Sequence, residues 1–243
     1  MPWLWLGPRL RSHLTLGVAL GIAAAALFAL LACAVAGVAL AGLTQYDISL
    51  NALLRGHAQQ APRLADFFGT LTDLGDVPFL TLISILVLLV LTGEMLRHGQ
   101  HRALTAFWIV GTAGAMWNFV LKDIFQRSRP EVRLVDVGGW SFPSGHSMGS
   151  LIVYGMLAYV LVVAVRDHWA KRAMVAMLVI LVGAIGFSRV YLGAHWPTDV
   201  LAGYAAGTAW LAGCITASET LRRRREDDKV TGWQGDKVTE NSV

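Results

Sequence analysis

Three short stretches of this 243-residue chain carry side chains suited to holding and attacking an anion. The most compact is Pro143-Ser144-Gly145-His146, placed where a polar loop gives way to a long apolar run. A proline, a hydroxyl and a glycine ahead of such a run start a helix and leave backbone N–H groups free in its first turn. That terminus is the positive end of the helix dipole, so a phosphate can dock there without a metal. His146 would stand on the same turn, within reach of the docked group. Taken alone the tetrapeptide says little, because Ser-Gly pairs at helix starts are common and a lone His is more often structural. Its company is more telling. Lys122 is followed after six residues by Arg129-Pro130, and Ser188-Arg189 is followed by His195 and Asp199. Lys122, Arg129 and Arg189 would create a positive field with few carboxylates to cancel it, and a phosphoryl group suits such a field best.

The elements that must position these groups are membrane helices. Apolar residues make up 55% of the chain and charged ones 15%, which is not a soluble profile. Crossing a hydrocarbon core of about 30 Å takes roughly 20 helical residues. Runs of that kind are expected at 14–43, 77–96, 104–121, 144–165, 173–192 and 197–218. The first is too long for a signal-peptide core and is read as a retained, tilted or overlong span. The net charge of +4 is distributed between spans, so it is no nucleic-acid footprint, and no nucleic-acid-binding motif occurs. Cys33 and Cys214 fall inside apolar runs and are expected to pack as small hydrophobes, not to form a disulfide.

Alternating spans put four basic segments on one side: the N-terminus with Arg9 and Arg11, residues 97–102, residues 166–172 and residues 222–225. By the positive-inside rule that side is the cytoplasm, with both termini. The three chemistry-bearing stretches then collect at the outer face. Ionisable groups at helix ends are costly in lipid and point to a shared polar site. Between 46 and 76 the apolar residues become periodic, with Leu50, Leu53 and Leu54 before Pro62 and Leu64, Phe67, Phe68 and Leu71 after it. That spacing predicts two short amphipathic helices, either lying on the outer membrane surface or packing on the bundle.

The three stretches together resemble the type 2 phosphatidic acid phosphatase (PAP2) superfamily, whose site is shared with vanadium haloperoxidases and glucose-6-phosphatase. Lys122 with Arg129-Pro130 matches its first motif, Pro143 to His146 its second, and Ser188-Arg189, His195 and Asp199 its third. No motif position departs from the pattern, which covers residues 122–199. The resemblance implies an all-α, polytopic enzyme of six transmembrane helices and a bacterial lipid phosphatase of the phosphatidylglycerophosphate or undecaprenyl diphosphate type. It implies His195 as nucleophile forming a phosphohistidine, Asp199 orienting His195, and His146 as acid toward the leaving oxygen and base toward water. Lys122, Arg129, Ser144, Gly145 and Arg189 would bind the phosphate. No cofactor or metal is implied, and the sequence offers no carboxylate cluster for magnesium.

The expected organisation is a phosphatase domain over 1–220 and a disordered polar cytoplasmic tail over 221–243. His13, His98, His101 and His168 are read as headgroup contacts and His57 as a solvated loop residue. Arg127 and Arg133 are candidates for gathering an anionic headgroup, and Trp140 and Trp196 for interfacial anchors. Residues 64–71 are the expected flank of a lateral lipid gate. The expected partners are the bilayer and a lipid phosphate or diphosphate, the candidates being undecaprenyl diphosphate, phosphatidylglycerophosphate and phosphatidic acid. The expected location is a bacterial inner membrane. Two rivals share the motifs: a lipid phosphotransferase using the same histidine, and a non-catalytic lipid-binding or transport protein.

Overall fold

The computed structural model describes residues 7–37, 41–98 and 102–240, with side chains for 15–37, 42–97 and 103–222. Nine α-helices occur among them: α1 (Gly7–Val35), α2 (Ala41–Gln60), α3 (Pro62–Thr72), α4 (Val77–His98), α5 (Arg102–Ala113), α6 (Trp117–Phe125), α7 (Gly145–Ala164), α8 (His168–Tyr191) and α9 (Pro197–Glu240). A 3₁₀ turn, Gly114–Met116, joins α5 to α6, and another, Asp73–Gly75, leads into α4. Six segments are long and apolar enough to span a bilayer: Thr15–Val35, Val77–Arg97, Ala103–Phe125, Gly145–Ala164, His168–Tyr191 and Pro197–Arg222. This is a multi-pass, all-helical membrane protein. The first helix ends at Val35, short of the expected limit at residue 43. Beyond residue 221, where a disordered tail was expected, α9 continues to Glu240. His13, His98 and His101, and the arginines after Arg222, fall outside the residues whose side chains are described.

Local chemistry sets the helix limits. Ser144 caps α7, its Oγ accepting from Ser147 N, and Asp167 caps α8, accepting from Ala170 N at 2.6 Å. Pro62 and Pro197 occupy the first helical positions of α3 and α9, where no N–H is needed. The α6 helix stops at Gln126, whose φ of 44° is left-handed, so the chain turns off just beyond Lys122.

The core lies around α7. Met148, Ile152, Val153, Tyr154 and Met156 are buried against Phe107 and Trp108 of α5 and Leu178, Val182 and Ile185 of α8. In lipid, apolar side chains gain little by leaving the tails, so close fit must hold helices together. Gly203 and Gly207 supply it for α9. A Cβ on Gly203 would lie 2.7 Å from Ser144 O, and one on Gly207 2.9 Å from Leu151 Cδ2. That approach brings the starts of α7 and α9 side by side, and Ser144 N donates to Asp199 O at 3.0 Å.

The apolar stripe of α2 is divided, with Leu54 packed against Tyr191 and Leu192 of the bundle and Leu53 turned outward. Asp47 (1% exposed), Asn51 and Ala58 turn inward, whereas Leu53 is 69% exposed. Reading the apolar stripe as the buried one assumes water outside. Here the outward side chains can meet lipid, and the inward polar ones find hydrogen bonds. On α3, Phe68 packs on Phe187 and Tyr191 of α8, at centroid distances of 5.3 and 4.9 Å. Both helices therefore pack on the bundle, as one of the two expectations had it.

Candidate active site

One end of the bundle gathers the C-termini of α6 and α8, the N-termini of α7 and α9, and the turn before α4. His195 sits in the short link between α8 and α9, buried at 2% exposed. Its Nδ1 is 3.4 Å from Asp199 Oδ2, and its Nε2 is 3.1 Å from Arg129 Nη1. A guanidinium can only donate, so Nε2 is the acceptor and the proton is on Nδ1, facing Asp199. This tautomer leaves a lone pair on Nε2, the atom a nucleophile would use.

Arg129 is itself fixed. Its Nε donates to Gly139 O at 2.9 Å, Nη1 to Ala194 O at 2.7 Å and Nη2 to Gly138 O at 3.0 Å. Lys122, in the last turn of α6 and one residue beyond the expected span, donates from Nζ to Trp140 O at 2.5 Å and Ser141 O at 3.3 Å. Arg189 is 3% exposed; its Nη1 donates to Thr72 Oγ1 at 3.1 Å, while its Nε has no partner. Three cations thus converge with the first turn of α7, where Gly145 lies against Asn118 and leaves no room for a side chain. Asn118 also donates to Pro143 O at 3.2 Å, holding the turn. Ser144 Oγ accepts from Ser147 Oγ at 3.1 Å, so its first role is the helix cap.

His146 meets a residue outside all three motifs. Its Nε2 is 2.5 Å from Asp76 Oδ1 but makes no hydrogen bond of proper geometry. This contact with His146, reinforced by Arg189, holds the Asp76 carboxyl below its ordinary range against the opposing effect of burial.

Asp199 is clamped from behind by residues the motifs do not name. Arg127 Nη1 donates to Asp199 Oδ1 at 2.6 Å and to Thr198 Oγ1 at 2.8 Å, and Nη2 donates to Asp47 Oδ2 at 2.7 Å. Asp47 also accepts from Thr198 N at 2.9 Å and Thr198 Oγ1 at 2.5 Å. Asn51 donates to His195 O at 3.3 Å. Arg127 is therefore committed to two carboxylates and is not free to gather a headgroup as the sequence suggested. The Asp47 partner was invisible in the sequence because it lies 80 residues from Arg127. Trp196, expected at the interface, donates from Nε1 to Ser128 O at 3.0 Å and stacks its ring under Arg127. His57, expected in a solvated loop, lies on α2 with Nδ1 2.9 Å from the Tyr191 hydroxyl.

The sequence of this chain matches the PAP2 superfamily over residues 102–223, half of its length. The chain belongs to the PAP2 superfamily. It is 34% identical over 148 residues to phosphatidylglycerophosphatase B of Bacillus subtilis, spanning 60% of this chain and 71% of that protein. It is 37% identical over 73 residues to an undecaprenyl-diphosphatase of Sulfolobus acidocaldarius, spanning 30% of this chain and 31% of that one. Its fold is similar to the crystal structure of a transmembrane PAP2-type phosphatidylglycerolphosphate phosphatase from Bacillus subtilis, with a TM-score of 0.70 and 27% identity over 82% of this chain and 96% of that one. This PAP2 chain is accordingly a membrane phosphatase, a hydrolase of phosphate esters.

Burial, with the charges of Arg129, Lys122, Arg189 and His146 adding to it, keeps the His195 pKa well below the ordinary imidazole value. The unfolded chain would take up a proton there near pH 6.5 and the folded chain would not. Native stability is therefore present above that pH and lost as pH falls below it, by up to about 1.4 kcal/mol per unit. Thermal melts in detergent should show wild type losing stability between pH 6.5 and 5, with a shallower slope in His195→Gln.

Proposed function

We propose that this PAP2 phosphatase hydrolyses membrane lipid phosphates through a phosphohistidine at His195. The observation that carries this reading is the buried His195, with Nε2 3.1 Å from Arg129 Nη1 and Nδ1 3.4 Å from Asp199 Oδ2. Phosphate oxygens entering the cup would take over the N–H groups of Arg129 and add those of Lys122, Arg189 and the Gly145 turn, leaving Nε2 free to attack phosphorus. The bond to His195 forms as the P–O bond to the lipid breaks. His146 gives its proton to the departing oxygen, then takes one from the water that releases inorganic phosphate.

A lipid substrate is supported by an apolar groove of about 380 Å³ between α4, α5 and α7. It is lined by Leu80, Ile85, Trp108 and Phe119 and reaches Gly75, Asn118 and Gly145 beside the site. We assign the acyl or prenyl chain to it, in place of the α3 flank expected from sequence, where the neighbouring hollow mixes Ala65, Leu134 and Leu192 with Gln59, Asp66 and Asp73. The names of the relatives support phosphatidylglycerophosphate and undecaprenyl diphosphate as the classes to test first. The basic segments at the opposite end support termini in the cytoplasm and a site facing outward from a bacterial inner membrane.

The test is phosphate release in detergent from phosphatidic acid, phosphatidylglycerophosphate, undecaprenyl diphosphate and a water-soluble phosphate ester. Ile85→Trp, which fills the groove, should lower kcat/KM for the long-chain lipids about five- to ten-fold and spare the soluble ester. Equal activity of Ile85→Trp on all four would remove the chain from this groove.

A further inference from the structure

We propose that Asp76 makes this site select phosphate monoesters, whose leaving group is a neutral hydroxyl, over diphosphates. The inference rests on the phosphohistidine reading above and narrows it. Asp76 belongs to the turn before α4, far from the three motifs in sequence, yet its carboxylate is 2.5 Å from the nitrogen of His146 that would protonate the departing oxygen. Its side chain is 46% exposed against 17% for His146, so it stands on the open side of the imidazole.

The turn is built to hold it there. A Cβ on Gly75 would fall 2.6 Å from Ile185 Cγ2 and 3.2 Å from His146 Cδ2, so the backbone presses directly on the imidazole. Tyr154 donates to Leu74 O at 2.8 Å, and Asp76 N donates to Asp73 O at 3.1 Å. Arg189 adds a positive charge that keeps Asp76 a carboxylate, and its Nη1 is held in place by Thr72 Oγ1.

Two consequences follow for the first chemical step. A carboxylate at this distance lowers the cost of positive charge on the imidazole as a proton passes through His146 to the departing oxygen. For a monoester this matters. As His195 Nε2 bonds phosphorus, the P–O electron pair goes to an alkoxide-like oxygen, which needs the His146 proton to leave as an alcohol. For a diphosphate the same pair leaves on a phosphate, a stable anion that requires no proton. The second consequence is repulsion. The departing phosphate of a diphosphate brings its own negative charge to the oxygen position beside Asp76, whereas an alcohol brings none and can donate a hydrogen bond. Both effects favour the monoester.

The experiment compares kcat/KM for a short-chain phosphatidic acid and farnesyl diphosphate, using detergent-purified full-length wild type, Asp76→Asn and Asp76→Glu with matched melting temperatures. In Asp76→Asn the monoester-to-diphosphate ratio should fall at least about ten-fold, the size expected when a charge is removed beside a reacting group. Asp76→Glu, which keeps the charge, should stay nearer the wild-type ratio. If Asp76→Asn lowers both substrates by one factor, or neither, the assignment to Asp76 is wrong and the phosphatase reading stands. If folded wild type releases phosphate from neither substrate, the phosphatase reading itself fails and this inference with it.

Discussion

Replacing His195 with alanine should reduce phosphate release by on the order of 10⁴-fold or more, with the fold intact. The size follows from what is lost. Without Nε2 no covalent intermediate forms, and the reaction reverts to water attacking a phosphorus held in a cationic cup. The cup should survive, because Arg129 keeps its carbonyl partners at Gly138, Gly139 and Ala194, and Lys122 keeps those at Trp140 and Ser141. Substrate binding should therefore persist while turnover disappears. The same protein gives a direct check on the intermediate. Rapid quenching of wild type into base during turnover of labelled substrate should trap acid-labile phosphate on the chain, and His195→Ala should trap none. Label retained by His195→Ala would move the nucleophile elsewhere.

Removing Asp47 should damage the site almost as badly, although this residue belongs to no motif. Asp47 is 1% exposed and binds Arg127 Nη2, Thr198 N and Thr198 Oγ1. Asp47→Ala strips one carboxylate from a largely buried guanidinium and orphans two donors at the start of α9. Breaking a buried pair from one side costs about 3–5 kcal/mol, because the remaining charge has lost both water and partner. Arg127 would then bind Asp199 alone, altering the group that orients His195. The expected result is a large fall in melting temperature and a loss of turnover that exceeds the loss of folded protein. The double variant Asp47→Ala/Arg127→Met should recover neither stability nor activity, since the buried Asp199 carboxylate then loses its own ion pair with Arg127. A melting curve for Asp47→Ala that overlays wild type would show that the network contributes nothing.

The sequence was most informative where chemistry depends on residue type and short spacing. His195 and Asp199 are four residues apart, and the Ser144 cap with Gly145 and His146 is contiguous, so these local units could be read directly. Their meeting in space followed from the number of spans, because only an even alternation brings the ends of α6 and α8 and the starts of α7 and α9 to one end of the bundle. Hydrophobic periodicity decided less. On α2 the stripe of leucines left open whether it met lipid or the bundle, and the structure divides it, with Leu53 facing outward, Leu54 packed on Tyr191 and Leu192, and Asp47 and Asn51 facing in. In water an exposed leucine and a buried aspartate would both cost free energy. Beside lipid the leucine costs nothing, and the aspartate is offset by three donors.

Sequence alone thus determined the spans, the three motifs and the anion chemistry they share, because each depends on residues close together in the chain. Tertiary structure alone decided that Asp47 and Arg127 brace Asp199, that Asp76 stands against His146, and that an apolar groove reaches the site between α4, α5 and α7. Those pairings join residues 70 or more positions apart, and no local pattern encodes them. The two Arg127 pairs arise because a buried charge must find a partner of opposite sign, and which partner is near is settled only when the helices pack.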